Sequence, residues 1–255
     1  MPNKTVTTTS TEENKITFEV HSNPDCISFC KHPQYRDLFL ISYYEQEGTE
    51  QQWTGGFDLF SLGKSLEPNT DANPPNWDGP PTAPSLLFSK TNNPGIFDIK
   101  WFNQPSNFNQ SSLQIAAAQV DKKLNIFSIP TELIDKQHSE PTTMNLNDSV
   151  QEHLLELQEK VLYIDIPSEG NQNIVTALDN GLVSVIDPVK LGVVSTYEVH
   201  EFSVWCCLGD IEGSGLVFSG ADDAKLCAYD VKGGTRVFGK KVGIDDSGIC
   251  HIIKN

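Results

Sequence analysis

The sequence lacks long apolar runs and has few basic residues. No stretch of about 18 apolar residues occurs, and the first fifteen residues are polar, without the apolar core of a secretion signal. Membrane insertion and secretion are therefore not expected, and we predict a cytoplasmic protein. The 18 Lys and Arg residues face 34 Asp and Glu, which gives a net charge of -16. Because nucleic-acid affinity comes from clustered basic side chains, we predict no nucleic-acid partner; simple solubility or a basic or amphipathic protein partner explains the charge.

Paired metal-binding cysteines are also lacking. No Cys-x-x-Cys pair occurs, and Cys26 and Cys30 would lie about 13 Å apart on one face of a strand, too far for one zinc ion. We therefore predict no metal and expect reduced thiols, most of them buried. The six cysteines are Cys26, Cys30, Cys206, Cys207, Cys227 and Cys250.

Several short catalytic motifs are missing as well. The sequence has no G-x-S-x-G nucleophile elbow, no H-E-x-x-H, no Walker lysine loop and no G-x-G-x-x-G. These absences disfavour serine-hydrolase chemistry of the elbow type and nucleotide-dependent chemistry. We predict no cofactor.

What the sequence does contain is a series of short strand patterns. Runs rich in β-branched and aromatic residues, bounded by Gly, Pro, Asn and Asp, recur from residue 16 to the end. They group into four sets of three predicted strands, which indicates an all-β propeller, sandwich or barrel. The sets extend from Cys26 to Phe60, from Ile96 to Ile129, from Tyr163 to Ile186 and from Val204 to Tyr229.

Three of the sets end in the same pattern of strand, polar turn and strand. The turn Asp179-Asn180-Gly181 is a strong tight-turn signal. Repetition of one hairpin unit is typical of propellers rather than sandwiches. The predicted hairpins cover residues 119–127, 178–186 and 221–229.

Two insertions and a tail complete the predicted organisation. Residues 61–93 are rich in Pro, Asn and Ser and predict a long surface loop, and residues 130–160 predict a second insertion. Within the second, Ser149 to Glu152 resembles a capping box that would begin a short helix, although Leu154 to Leu157 equally fits a strand. We predict that residues 1–15 form a disordered tail.

One set carries polar residues at the positions of a WD-repeat blade. In such a blade, a His before a strand, an Asp in a tight turn and an aromatic-Asp pair form a hydrogen-bonded group. His200, then Asp222 or Asp223, then Tyr229-Asp230 occupy these positions, with Tyr in place of the usual Trp. We therefore predict an incomplete WD-repeat β-propeller over residues 16–255, with about four blades and the start of a fifth.

The segment from His200 to Ile252 resembles the WD-repeat diphthine methylesterases over about one fifth of the chain. The resemblance implies hydrolysis of the methyl ester of methylated diphthine, a modified histidine of translation elongation factor 2, to diphthine and methanol during diphthamide biosynthesis. Elongation factor 2 would then be the protein substrate. The matching residues are His200-Glu201-Phe202, Trp205, Ser219-Gly220-Ala221-Asp222-Asp223, Leu226, Tyr229-Asp230 and Gly248-Ile249-Cys250-His251-Ile252.

The segment also departs from the family pattern. Ala221 replaces a Gly, Tyr229 replaces a Trp, and Asp245 or Asp246 lies where a blade often begins with His. The family propeller is expected to have about seven blades, whereas this chain reaches only one strand into a fifth unit. We therefore expect the C-terminal blades of the family to be absent here.

Four residues are candidates for the ester chemistry, which needs a base for water and donors for the oxyanion. His200, Asp222 and Asp223 could act as a base with orienting carboxylates, and His251 is the fourth candidate. The hydrogen-bonded group of a blade already explains the first three, so we favour a structural role for them, and we favour a core position for His251. The competing function is a non-catalytic WD-repeat scaffold or adaptor, for example in membrane traffic.

Overall fold

A computed structural model gives the fold of most of the chain. It describes residues 8–12, 15–18, 20, 22–47, 52–62, 84–102, 111–139, 144–145, 150–167, 173–210, 213–242 and 247–253. Strands account for most of these residues, in four larger sheets and one two-stranded hairpin. The chain divides into two compact units, one built on the first large sheet and the other on the remaining three.

The first unit contains one large, mostly antiparallel sheet. Its strand order is β10-β6-β5-β4-β3, with β10 the only parallel neighbour, and β1 and β2 form a separate hairpin. The elements are β1 (Thr8–Glu12), β2 (Lys15–Phe18), β3 (Pro24–Phe29), β4 (Leu38–Glu47), β5 (Gln52–Ser61), β6 (Ser85–Pro94), α1 (Thr131–Ser139) and β10 (Met144–Asn145).

The core of the first sheet is aliphatic and aromatic. Leu38, Leu40 and Leu59 are fully buried along the paired strands β4 and β5. Phe39 and Phe60 face each other in register, and their rings stack with centroids 5.3 Å apart. Consecutive residues of both strands are buried, so both faces of this part of the sheet are covered, and the apolar cross-strand pairs stabilise its register.

The second unit contains three four-stranded antiparallel sheets in chain order. The strand orders are β11-β9-β8-β7, β12-β13-β14-β15 and β16-β17-β18-β19. The strands are β7 (Ile96–Trp101), β8 (Ser112–Gln119), β9 (Lys123–Pro130), β11 (Gln151–Glu156), β12 (Val161–Asp165), β13 (Ile174–Leu178), β14 (Leu182–Asp187), β15 (Gly192–Glu198), β16 (Val204–Asp210), β17 (Leu216–Ala221), β18 (Lys225–Asp230) and β19 (Thr235–Lys241).

Consecutive sheets of the second unit pack against each other through apolar cores. Ala116 and Ile126 of the second sheet pack with Ile164 of the third, while Val185 of the third packs with Val217 of the fourth. This succession of four-stranded antiparallel sheets is consistent with a β-propeller-like fold.

Aspartates on the first strands add a repeated connection between these sheets. Asp98 of β7 accepts a hydrogen bond from the backbone N–H of Ile164 on β12, at 2.9 Å. Asp165 of β12 accepts one from the backbone N–H of Gly209 on β16, at 2.8 Å. The same contact therefore joins the second sheet to the third and the third to the fourth.

The three predicted hairpins are present, and their turns share one backbone feature. A residue of positive φ stands at the equivalent place in each turn: Lys122 at 68°, Gly181 at 86° and Ala224 at 57°. Only glycine adopts this left-handed region without steric cost. The turn geometry is therefore kept even where the sequence does not supply glycine.

The predicted insertions are shorter than expected. Ser85–Pro94 is the strand β6, because its apolar side chains Leu87 and Phe88 are buried against the first sheet; residues 63–83 of the predicted loop lie outside the described residues. The predicted insertion 130–160 contains α1 and β11. The pattern at Gln151–Glu156 forms a strand rather than a helix, because it completes the second sheet by pairing with β9.

The ends of the chain also differ from expectation. Thr8–Glu12 pairs with Lys15–Phe18 in a hairpin, where the β-branched Thr residues favour a strand, although we predicted disorder over residues 1–15. Residues 1–7, 13 and 14 lie outside the described residues. Residues 247–253, predicted to begin a fifth unit, form no strand, but the Ile249 N–H donates to the Ala221 carbonyl at 3.0 Å.

The outer strands β15 and β19 of the last two sheets were missed by the sequence patterns, whereas the region of the outer strand β11 was predicted as either a helix or a strand. Each set was predicted with three strands, whereas β11, β15 and β19 lie at the outer edges of their sheets. Their residues are mostly exposed, so they carry no apolar alternation. In the described part of the chain, no helix is long and apolar enough to cross a membrane.

Candidate functional site

The predicted candidates gather around the turn between β17 and β18. His200 follows the end of β15, and its backbone N–H donates to the carbonyl of Gly181 at 3.1 Å. Asp222 and Asp223 form the turn itself, and Ser219 is a buried residue of β17. The sheet register therefore brings residues about twenty positions apart into one small polar group.

His200 is fully enclosed by this group. Its Nδ1 lies 2.9 Å from Oδ1 of Asp223, and its Nε2 lies 2.9 Å from Oγ of Ser219. The exposed fractions of the His200 and Asp223 side chains are 0% and 4%. A tautomer that donates from Nδ1 to the carboxylate and accepts at Nε2 from the Ser219 hydroxyl satisfies every polar atom of the ring.

Burial sets the protonation of this pair. Burial lowers the pKa of His200, although the hydrogen bond to Asp223 acts in the opposite direction. Burial alone would raise the pKa of Asp223, but the Lys225 N–H and His200 hydrogen bonds outweigh it and lower that pKa. The pair at neutral pH is therefore a neutral imidazole beside an ionised carboxylate.

Asp222 has a different environment from Asp223, which separates the two alternatives that the sequence left open. Its side chain is exposed, and its Oδ1 accepts a hydrogen bond from the Trp205 indole Nε1–H at 2.7 Å. Asp223, not Asp222, is the partner of His200. The Trp205–Asp222 contact was not expected, because the two residues are 17 positions apart and only the register of β16 and β17 brings them together.

Residues shortly before His251 reach the same turn, but His251 itself is not part of the buried group. The backbone of Gly248 approaches Asp222 so closely that an added Cβ would lie 2.8 Å from its Oδ1. Three residues later, the His251 side chain is exposed, and within the described residues it makes no hydrogen bond to His200, Asp222 or Asp223. The structure thus divides the four candidates into a buried pair and two exposed residues.

Tyr229, which we predicted at the position of the Trp of a WD-repeat blade, makes its own hydrogen bond. Its hydroxyl donates to the Glu198 carbonyl at 2.9 Å, and its ring lies 5.3 Å from that of Tyr197. The neighbouring Asp230 accepts the backbone N–H of Lys232 at 2.9 Å. Tyr229 therefore joins β18 to the end of β15.

In the part of the chain that the structure describes, the cysteines and acidic residues show no further reactive arrangement. All six cysteines are free thiols, and burial raises the pKa of Cys30 and of Cys206 to about 12, which keeps both protonated and unreactive. Among the described residues, no three His, Cys, Asp or Glu side chains are grouped so that they would hold a metal ion.

Comparison with known proteins gives one informative similarity. No family model matches the chain. A protein of Schizosaccharomyces pombe named diphthine methyltransferase is similar to it, with 26% identity over 87 residues. The aligned region makes up 34% of this chain and 26% of the yeast protein. The chain therefore matches about a quarter of the length of that relative, which links it to the diphthamide pathway by similarity alone.

Proposed function

We propose that this protein acts in diphthamide biosynthesis as a diphthine methylesterase. It would hydrolyse the methyl ester of methylated diphthine on translation elongation factor 2, releasing diphthine and methanol in the cytoplasm. The observation that carries the proposal is the similarity to the yeast protein named diphthine methyltransferase. The family motifs in the segment from His200 to Ile252 also support it.

The proposal differs from the name of the relative in the direction of methyl chemistry. That name describes addition of a methyl group, whereas we propose its removal. Hydrolysis needs only water as the second substrate, and the sequence has none of the glycine-rich G-x-G-x-x-G loop that binds a nucleotide-based donor. The resemblance of the segment from His200 to Ile252 to the methylesterases also favours hydrolysis over methyl transfer.

We further propose that the four large sheets are successive WD-repeat blades. The equivalent turn residues Lys122, Gly181 and Ala224 support a repeated unit, as do the equivalent carboxylate contacts of Asp98 and Asp165. The buried His200–Asp223 pair supports the WD-repeat type of blade, because it is the hydrogen-bonded group that this repeat uses.

We propose different roles for the exposed and the buried candidate residues. Ester hydrolysis requires water to attack the carbonyl carbon, a base to take its proton, and return of a proton to the departing methoxide. Asp222 and His251 are exposed to a substrate, so we assign the proton transfer to them. His200 and Asp223 are enclosed with their hydrogen bonds occupied, so we assign them the positioning of the Asp222 turn.

The test uses elongation factor 2 from cells that lack this gene. We expect the factor to carry the methyl ester, and the purified chain to remove one methyl group by mass spectrometry while methanol is released. Asp222→Asn and His251→Gln should each lower the rate by about 10²-fold or more if they transfer protons. Glu132→Gln, an exposed substitution in the first unit, is the matched control and should retain the rate.

Other outcomes identify the competing functions. Normal diphthamide in the deleted cells would contradict the esterase proposal, and methyl addition that depends on a donor would support the activity in the relative's name. Phe202 and Trp205 are 57% and 41% exposed, which favours a protein-binding scaffold as the second candidate. Binding of elongation factor 2 without loss of methyl would support that scaffold.

A further inference from the structure

The first sheet carries a groove that none of the candidate residues contacts. It has a volume of about 420 Å³ and lies where the start of β3 meets the end of β4 and the start of β5. Its walls include Asn23, Pro24, Asp25, Tyr44, Glu45 and Trp53. All of these residues belong to the first unit, so the groove is complete within that unit.

Two aromatic rings form one wall of the groove. The register of β4 and β5 pairs Gln46 with Trp53, which places Trp53 beside Tyr44. The two rings meet edge to face, with centroids 5.3 Å apart and planes 62° apart. Both side chains are half-buried, so each ring is held in place while part of its surface still faces the groove.

The charge of the groove is negative. Asp25 and Glu45 supply two exposed carboxylates, and none of the lining residues is Lys, Arg or His. The Ser22 hydroxyl donates to Oε1 of Glu45 and orients that carboxylate. Burial and the nearby charge of Asp25 raise the pKa of Tyr44, which is consistent with a negative potential at this wall.

We propose that this groove binds an arginine side chain of a partner protein. A guanidinium is planar and can stack on the Trp53 or Tyr44 ring, where the negative face of the π system attracts a cation. The N–H groups at its edges would donate to the carboxylates of Asp25 and Glu45. The net charge of -16 favours approach of a basic segment from solution.

Arginine fits this combination better than lysine. A lysine ammonium is a compact point charge that keeps its water more strongly, and it does not stack on a ring. The groove offers both an aromatic ring face and two carboxylates, which a planar donor with several N–H groups can use together. We therefore expect the groove to select arginine over lysine through the guanidinium group.

The experiment titrates the full chain with a blocked glycine peptide that contains one arginine. NMR would follow the indole N–H of Trp53, assigned by its loss in Trp53→Phe. We expect this signal to shift on binding, and a peptide with citrulline, the neutral analogue of the same shape, to bind at least about tenfold more weakly. A lysine peptide should lie between the two.

A matched pair of variants tests whether the groove is the site. The double variant Asp25→Asn with Glu45→Gln should weaken arginine-peptide binding by about tenfold or more. Glu132→Gln with Glu156→Gln removes the same charge from exposed positions elsewhere and should change binding by less than about twofold.

Three results would overturn the proposal. These are equal binding of the arginine and citrulline peptides, equal weakening by the two double variants, and binding that leaves the Trp53 signal unmoved. The citrulline comparison uses the unaltered protein, so it decides the question even if the groove variant fails to fold.

Discussion

The third and fourth sheets are built alike but are stabilised differently. In both, a residue of positive φ closes the central turn, Gly181 in one and Ala224 in the other. In both, the preceding side chain accepts a backbone N–H: Asn180 from Leu182 at 3.3 Å, and Asp223 from Lys225 at 3.0 Å. The backbone of the turn is therefore equivalent in the two sheets.

The difference lies in what covers each sheet. Alternate residues of β13 face opposite neighbours: Ile174 packs towards the second sheet and Val175 towards the fourth, so the whole strand is buried. The fourth sheet has such a core on one face, and all seven residues of its outer strand β19 are exposed. It is also the sheet that carries the buried His200–Asp223 pair. Apolar burial is the main support of the third sheet, while hydrogen bonds supplement it in the fourth.

The largest expected difference concerns apolar side chains. Ile186 is fully buried between the second and third sheets, so Ile186→Ala should lower the free energy of unfolding by about 2–5 kcal/mol. Leu208 of the fourth sheet is only half-buried, and Leu208→Ala should cost about 1 kcal/mol or less. Urea denaturation of both variants measures the contrast. Equal losses would show that the two sheets are supported equally by apolar burial.

The equivalent turn residues should respond unequally to a methyl group. At Gly181, an added Cβ would lie 2.2 Å from the carbonyl oxygen of His200, so Gly181→Ala forces the backbone to move. We expect a loss of about 1–3 kcal/mol, measured by thermal unfolding. Ala224 already carries a methyl at the same φ region, so Ala224→Gly is the reciprocal variant and should change stability by less than about 1 kcal/mol. A neutral Gly181→Ala would contradict the steric argument.

Removal of the acidic partner tests the polar group of the fourth sheet. Asp223→Ala leaves Nδ1 of the fully buried His200 without its acceptor, so we expect a loss of about 1–3 kcal/mol. Asn180→Ala removes only the exposed turn contact to Leu182 and should cost about 0.5–1 kcal/mol. Urea denaturation measures both. If the two substitutions cost the same, the imidazole partner contributes nothing beyond the turn.

Part of the fold could be predicted from the sequence, because some residues report their own environment. The alternation and turn chemistry of residues 178–186 predicted a hairpin, and β13 and β14 pair as expected. The outer strand β19 could not be predicted, since Thr235–Lys241 is exposed throughout and contains three basic residues. Its position depends on the free edge of β18, which no local pattern reveals.

The candidate site shows the same limit. Spacing placed His200 near Asp222 or Asp223, but two adjacent turn residues point in different directions, and only the structure distinguishes Asp223 from Asp222. The groove of the first sheet was missed because Tyr44 and Trp53 meet through strand pairing rather than through sequence spacing. Contacts that depend on register are therefore the ones that require the structure.

The smallest expected effect is the pH dependence that His200 gives to the fourth sheet. Burial lowers the His200 pKa below its ordinary value of 6.5, so the unfolded chain takes up a proton before the folded one as the pH falls. The stability from the neutral imidazole is thus present above about pH 6.5 and is lost as the pH falls towards the lower folded pKa. The lowered Asp223 pKa acts in the same direction, but only as the pH falls below its ordinary value of 3.8.

His200→Gln should therefore flatten the dependence of stability on pH just below pH 6.5, by at most about 1.4 kcal/mol per pH unit, since one proton is involved. Urea denaturation midpoints measured between pH 7 and the onset of carboxylate titration check this. Burial also lowers the pKa of His32 in the first unit, so His32→Gln is the matched variant, and the two substitutions together should flatten the curve more than either alone. An unchanged slope in His200→Gln would mean that His200 binds protons equally in the folded and unfolded chains. In that case burial would not desolvate the His200 imidazole. The His200–Asp223 pair would then distinguish the fourth sheet from the third by its hydrogen bonds but not by a change in pKa.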